Sequence, residues 1–385
     1  SIHHRLNNPI KVEPILYTTI GTPNLNLMHA WHTTNFAWGN ARRRRKDFWK
    51  KEIEERWEEV MKKEIKRFIG CYNCSLECGA IVEPPGSPVF LMKCWSKFAY
   101  LMGARADDDL DFSFRIAGRA SHYGVDALTT PQVIAFALEL YEAGILTDKE
   151  LGGMPPDTKG RFFWLLDRIV RREGIGDVLA NGVYRAARQI GKGAEAYDHN
   201  TTKKVEQVPI KLRMLNPLYF LMLATGEKTT ITQIEGQIPQ HYLPKEWREE
   251  FVKDWIQVPP GKEEKFKKFI LEWGDGDKKH PFYPPMDLTF ELVDWMETMH
   301  YIDDSTGICT GLSAFHYKTP YHIRNLPRFI SCATGIDIDE AGLWEIARRN
   351  RNLVRVVNIR RGLRREVERP PEDHWLKRFP EYESK

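Results

Sequence analysis

No apolar stretch in the 385 residues approaches the ~18 needed to cross a bilayer as a helix, so a helical membrane protein is excluded. No secretory hydrophobic segment opens the chain. Its first residue is Ser1 rather than Met, which leaves room for sequence upstream. One-sided charge is also missing: 57 Lys and Arg against 53 Asp and Glu leave a net charge of only +4. A dedicated nucleic-acid binder shows a stronger basic surplus, so nucleic acid is not an expected partner. Cysteine is rare, six residues in all, too few to staple a fold of this size. Internal repeats and low-complexity segments are absent.

What is present fits a globular protein. Hydrophobic residues make up 42% and charged residues 29%, too apolar for disorder. Aromatics reach 12%, with twelve tryptophans, and point to large buried surfaces or a cofactor cavity. The length corresponds to about two to three domains.

The first forty residues, rich in Pro, Gly, Asn and Thr, read as an extended connecting segment. Residues 42–68 read as one helix, with Phe48, Trp57, Val60, Met61, Ile65 and Phe68 on an apolar stripe. The Arg42–Arg45 run reads as a solvated face, with a phosphate or partner site as the alternative. Thr130-Pro131 offers a helix start that runs to Gly144. Thr158–Arg172 and Asp177–Ile190 read as two further helices, and a last long one begins near Asp339 and ends at Gly362. Residues 200–285 are less regular. Strand-like runs are scarce after residue 35, so the expected fold is mainly α. The expected domains are 1–40, connecting; 41–200, helical; and 201–385, helical.

Three of the six cysteines fall in Cys71-Tyr-Asn-Cys74-Ser-Leu-Glu-Cys78, a C-x2-C-x3-C triplet expected on a loop after the first helix. Thiolates are soft ligands, and such short spacings let one loop wrap three corners of an iron–sulfur cluster. A structural zinc site and inert thiols are the alternatives, although zinc usually shows paired motifs. Cys309 is the natural fourth ligand. It closes Asp304-Ser-Thr-Gly307-Ile-Cys309, where a glycine beside an acid suits a tight loop approaching a ligand. Ser121-His-Tyr-Gly124-Val-Asp126 has the same form and, alone, would be an ordinary turn. His29 and His32 sit three apart in an aromatic loop. They can shuttle protons at neutral pH, with packed or surface histidines as the bland alternative.

Together these motifs resemble the tungsten-containing aldehyde:ferredoxin oxidoreductase family. Its cluster motif corresponds to Cys71, Cys74 and Cys78. Its pterin motif D-x-x-G-L-C corresponds to Asp304–Cys309, and the sister motif D-x-x-G-L-D to Ser121–Asp126, with Ser121 in place of the acid. Stretches such as Arg172-Glu-Gly-Ile-Gly-Asp-Val-Leu-Ala-Asn-Gly-Val and Ala333-Thr-Gly-Ile-Asp are also similar. The resemblance implies the two helical C-terminal domains of that architecture. The family's N-terminal β domain is not recognisable, which makes the chain a fragment or that domain a separate polypeptide.

The resemblance further implies a 4Fe–4S cluster on Cys71, Cys74, Cys78 and Cys309. It implies a bis-pterin tungsten or molybdenum cofactor near Gly124, Asp126, Asp304 and Gly307, with magnesium as a further candidate. Ferredoxin or an iron–sulfur electron-transfer subunit becomes the expected partner, in a cytoplasmic oligomer acting on a small molecule. The family's active-site glutamate is missing from Met92-Lys-Cys94-Trp-Ser-Lys-Phe, and its catalytic histidine from Ala224-Thr-Gly-Glu-Lys-Thr. These departures favour the class II benzoyl-CoA reductase type, whose active-site subunit resembles these proteins. There Cys94 is expected on tungsten, with His29 and His32 moving protons. An aldehyde oxidoreductase is the alternative within the family, and a zinc-stabilised scaffold the rival outside it.

Overall fold

The computed structural model describes Glu59, Glu249 and residues 63–72, 79–92, 109–126, 128–199, 201–206, 221–222, 224–227, 263–272, 286–308 and 323–369. The chain divides into two compact units, Ser1–Lys211 with Arg369–Lys385, and Leu212–Glu368.

The first unit opens with a small antiparallel sheet, β1 (Ile65–Ile69), β2 (Gly79–Val82) and β3 (Phe90–Met92), in that order. Ile69 faces Gly79 across β1 and β2, and Ala80 faces Met92 across β2 and β3. The expected helix over 42–68 is therefore corrected at its end. Ile65 to Ile69 pair with Gly79 to Val82 of β2, and that tertiary pairing overrides a period that also matched a helix. The cysteine triplet consequently falls between two strands rather than after a helix.

Helices follow: α1 (Leu110–Tyr123), α2 (Thr129–Glu142), α3 (Thr158–Arg171), α4 (Ile175–Leu179) and α5 (Val183–Ile190). A 3-10 turn (Ala194–Tyr197) and the short pair β4 (Thr201–Thr202) and β5 (Val205–Glu206) complete the described part. Helix α2 is the centre of this unit, with every residue from Thr130 to Leu140 buried. Phe112 of α1 meets Phe162 and Phe163 of α3 edge-on at 6.0 and 5.7 Å, the arrangement aromatic quadrupoles favour.

The single helix expected over Asp177–Ile190 is two, α4 and α5, broken at Gly182. A Cβ there would lie 2.8 Å from Glu206 Oε1, because the buried Glu206 carboxylate accepts the Val183 N–H at the start of α5. A residue from β5 thus supplies the cap that no local side chain provides.

The second unit contains α6 (Glu263–Glu272), α7 (Met286–Thr306), α8 (Leu326–Thr334), α9 (Glu340–Arg360) and α10 (Arg365–Glu368). Asp339 caps α9 by accepting the Gly342 N–H at 2.8 Å. Helices α7 and α9 pack together, burying Trp295, Met296 and Met299 from one and Leu343, Trp344 and Ala347 from the other. The fold is mainly α, and no helix among the described residues is long and apolar enough to cross a membrane.

Candidate functional site

The two pterin-like motifs have one backbone solution in common. In the first unit α1 ends at Tyr123, and Gly124 takes the left-handed conformation at φ 72°. The Val125 N–H then reaches back to the Ala120 carbonyl at 3.2 Å. In the second unit α7 ends at Thr306, Gly307 sits at φ 73°, and the Ile308 N–H reaches the Asp303 carbonyl at 3.0 Å. Both are the six-residue closure that left-handed glycine permits at a helix end. A Cβ added at either glycine would meet nothing within 4 Å, so open space lies above both turns.

Ser121 and Asp304, three residues before each glycine, are exposed on the last helical turn. An exposed oxygen acceptor beside an open glycine shelf suits the polar edge of a pterin ring. In this respect the residues present fit the group that the motifs imply.

Asp126 has a second task. Its Oδ1 accepts the N–H groups of Leu128 and Thr129 at 2.9 and 2.6 Å, which fixes the start of α2. The start expected at Thr130-Pro131 is corrected accordingly: α2 begins one residue earlier, Thr130 is buried inside it, and no side chain at Leu128 caps it.

The turn at Gly124 is anchored by groups that sequence reading missed. Arg119 of α1 pairs with Asp167 of α3 at 2.5 Å, and the Tyr123 hydroxyl donates to the same carboxylate at 2.9 Å. The Arg119 guanidinium lies over the Tyr123 and Phe163 rings at 5.6 and 5.4 Å. The sequence signal was Tyr123 itself, inside the motif, but its partner is 44 residues away. Glu206 is the other missed group. Burial pushes its carboxyl up, the Val183 N–H opposes that, and the charges of Asp198 and Asp126 add to it.

In the second unit, Tyr301 stands one turn before Asp304 and is buried. Burial raises its phenol, and so does a hydrogen bond to Glu227, with the charges of Asp304 and Glu297 acting in the same direction. Glu227 belongs to the stretch that lacks the family histidine. It therefore places a carboxylate beside the second motif. Glu297 is buried between Arg351 and the Thr225 hydroxyl, 2.8 Å away. Burial raises its carboxyl while Arg351 lowers it.

Cys71 lies exposed in the connection after β1. Cys74, Cys78, Cys94, Cys309, His29 and His32 lie outside the described residues. Among the described residues no cluster of His, Cys, Asp and Glu is arranged to hold a metal ion.

Residues 2–385 match the family described as aldehyde ferredoxin oxidoreductase, domains 2 and 3. The chain belongs to that family. Among curated relatives it is 31% identical over 166 residues to a tungsten-containing aldehyde ferredoxin oxidoreductase of Pyrococcus furiosus, covering 40% of this chain and 25% of that protein. The counterpart from Thermococcus kodakarensis is 31% identical over 141 residues, covering 36% and 23%. A solved structure, the active-site complex BamBC of benzoyl coenzyme A reductase with 1,5-dienoyl-CoA, shares 52% identity with a TM-score of 0.84. That match covers 99% of this chain and 58% of the other. The chain thus spans a little over half of the solved relative, and its alignments span about a quarter of the curated ones.

Proposed function

We propose that this chain is the catalytic part of a tungsten–pterin, iron–sulfur oxidoreductase that reduces an aromatic acyl-coenzyme A thioester, benzoyl-CoA in the first instance. The observation that carries this reading is the likeness, along 99% of the chain at 52% identity, to the benzoyl coenzyme A reductase complex holding a dienoyl-CoA. Tungsten appears in the names of the curated relatives as well.

In this reading Cys71, Cys74, Cys78 and Cys309 would hold one 4Fe–4S cluster, which would supply single-electron transfer. Asp126 and Asp304 would accept hydrogen bonds from the two pterins, and Gly124 and Gly307 would admit them without side-chain hindrance. Ser121 offers a hydroxyl where the sister motif has an acid, so one side binds with one charge fewer. When bound, the tungsten–pterin group supplies low-potential two-electron chemistry. Cys94 would offer that metal a soft thiolate donor. His29 and His32 hold and move the protons.

Two electrons and two protons added to the aromatic ring convert benzoyl-CoA to a dienoyl-CoA. The electrons come from ferredoxin or an iron–sulfur subunit, in an oligomer like the complex formed by the solved relative. Magnesium would be a further ion held through oxygen ligands.

The test is anaerobic turnover of benzoyl-CoA with reduced methyl viologen, read by mass spectrometry as a product two hydrogens heavier. The names of the curated relatives favour aldehyde oxidation as the second reading. Aldehyde turnover with no product from benzoyl-CoA would establish that reading instead. Cys94→Ala should abolish turnover while iron content is kept; an active variant would return Cys94 to the role of a packed core thiol.

A further inference from the structure

The two faces of α9 have different surroundings. Its inner face buries Leu343, Trp344 and Ala347. From that side Arg348 and Arg351 each reach Asp294 of α7 at 2.5 Å, and Arg351 also pairs with Glu297. Asn350 Nδ2 donates to Ser305 Oγ at 2.9 Å. Ser305 lies in the segment Asp304-Ser-Thr-Gly307-Ile that runs on to Cys309.

The outer face is different. At about 100° per residue, Arg349, Leu353, Val356, Val357 and Arg360 fall within an arc of about 100°. Leu353 is 60% exposed, Val356 45% and Val357 39%, and both arginines are exposed. Apolar side chains scattered singly over a surface are ordinary, but three adjoining ones on a helix face with no described element over them are not. From Arg348 to Arg365 the sequence contains eight arginines and no acidic residue. Arg348, Arg351 and Arg355 are spent on Asp294, Glu297 and Glu368, which leaves Arg349, Arg360 and Arg361 to give the outer rim its charge.

We propose that the outer face of α9 is the docking surface for an acidic iron–sulfur protein that delivers electrons to this chain. Leu353, Val356 and Val357 meet its apolar centre, and Arg349, Arg360 and Arg361 meet a rim of carboxylates. The proposal rests on the reading of the chain as a reductase fed by single electrons. Charge selects the occupant, because a second copy of this chain would bring the same arginines against themselves. Position selects it as well: the Asn350–Ser305 bond ties α9 to the segment that leads to the proposed fourth cluster ligand. A protein seated there would contact the helix that holds Ser305, four residues before Cys309 in the sequence. An anionic membrane is the other surface that a basic helix with an apolar stripe could meet, and the experiment includes it.

The experiment uses the holoenzyme in three forms: wild type, Arg349→Glu/Arg360→Glu/Arg361→Glu, and Leu353→Asp. The protein probe is a reduced two-cluster ferredoxin, an acidic iron–sulfur protein, and the small donor is reduced methyl viologen. The KM for ferredoxin should rise at least about tenfold in the triple variant, and the salt dependence of ferredoxin binding by calorimetry should flatten, since rim charges govern encounter. Leu353→Asp should weaken ferredoxin binding at any salt concentration. Rates with methyl viologen should stay at wild-type values in both variants.

Unchanged ferredoxin KM and binding in both variants would overturn the proposal. So would loss of binding to phosphatidylserine vesicles, or dissociation of a dimer by light scattering, with ferredoxin unaffected. Calorimetry needs no turnover. A wild-type enzyme inactive with methyl viologen would therefore refute the functional reading while the docking surface is still decided by binding.

Discussion

Asp126 is expected to carry two loads that substitution can separate. Its Oδ1 holds the Leu128 and Thr129 N–H groups at 2.9 and 2.6 Å, and the helix that follows is buried from Thr130 to Leu140. Loss of a capping acid usually costs about 0.5–2 kcal/mol. Fraying here would disturb the central helix of the unit, so Asp126→Ala should fall in the upper half of that range, about 1–2 kcal/mol. For a unit of this size that corresponds to about 2–8 °C in Tm. Asp126→Asn keeps the acceptor at Oδ1 and loses only an exposed charge at a helix start, worth at most about 1 kcal/mol. Thermal unfolding of the metal-free full chain should therefore separate the two variants. Tungsten content of the protein purified anaerobically should fall in both, because both remove the carboxylate proposed to face a pterin. Equal unfolding of Ala and Asn would refute the capping argument, and full tungsten in both would refute the pterin contact.

Three further outcomes follow from the buried and paired charges. Arg351→Ala should destabilise the second unit by about 3–5 kcal/mol in denaturant unfolding, since it strands Glu297 without its cation; the double change Arg351→Met/Glu297→Met should recover most of that loss. Glu206→Ala should cost about 1–3 kcal/mol by leaving the Val183 N–H unsatisfied, whereas Glu206→Gln should keep the bond. The Glu206 carboxyl is raised above 4.5, so the folded state binds that proton more tightly and gains stability as pH falls through the window above 4.5; the Gln variant should lack that slope. Glu150 accepts from the Thr147 hydroxyl, from Lys192 and from the Thr147 N–H, and its carboxyl is lowered to about 2. The stability it contributes is present above 4.5 and is lost as pH falls from 4.5 towards 2; an NMR titration should place its midpoint near 2, and Thr147→Ala should move it back towards 4.5.

Local signals in the sequence carried far, and non-local ones did not. The likeness of Ser121–Asp126 to Asp304–Cys309 was legible because helix closure on a left-handed glycine involves only six consecutive residues. The start at Asp339 was legible for the same reason, the capping carboxylate and the N–H that donates to it lying three residues apart. Asp126, not Thr130, turned out to start α2, because a cap placed ahead of the helix competes with the Thr-Pro signal. The break at Gly182 depends on Glu206, 23 residues beyond Val183, and no pattern within 177–190 encodes it. Residues 65–68 fitted a helical period and became part of a strand because β2 pairs with them. The Arg351–Asp294–Glu297 network joins two helices through residues 57 positions apart, so no local pattern pairs its members. Cys94, His29 and His32 lie outside the described residues, and their roles rest on motif position alone.

Metal analysis of the protein purified without oxygen is the most direct test of the tungsten and iron–sulfur reading. About four irons and one tungsten (or molybdenum) are expected for each chain, with absorbance near 400 nm, and loss of iron in Cys309→Ala. Zinc alone, with neither iron nor tungsten nor molybdenum, would contradict it.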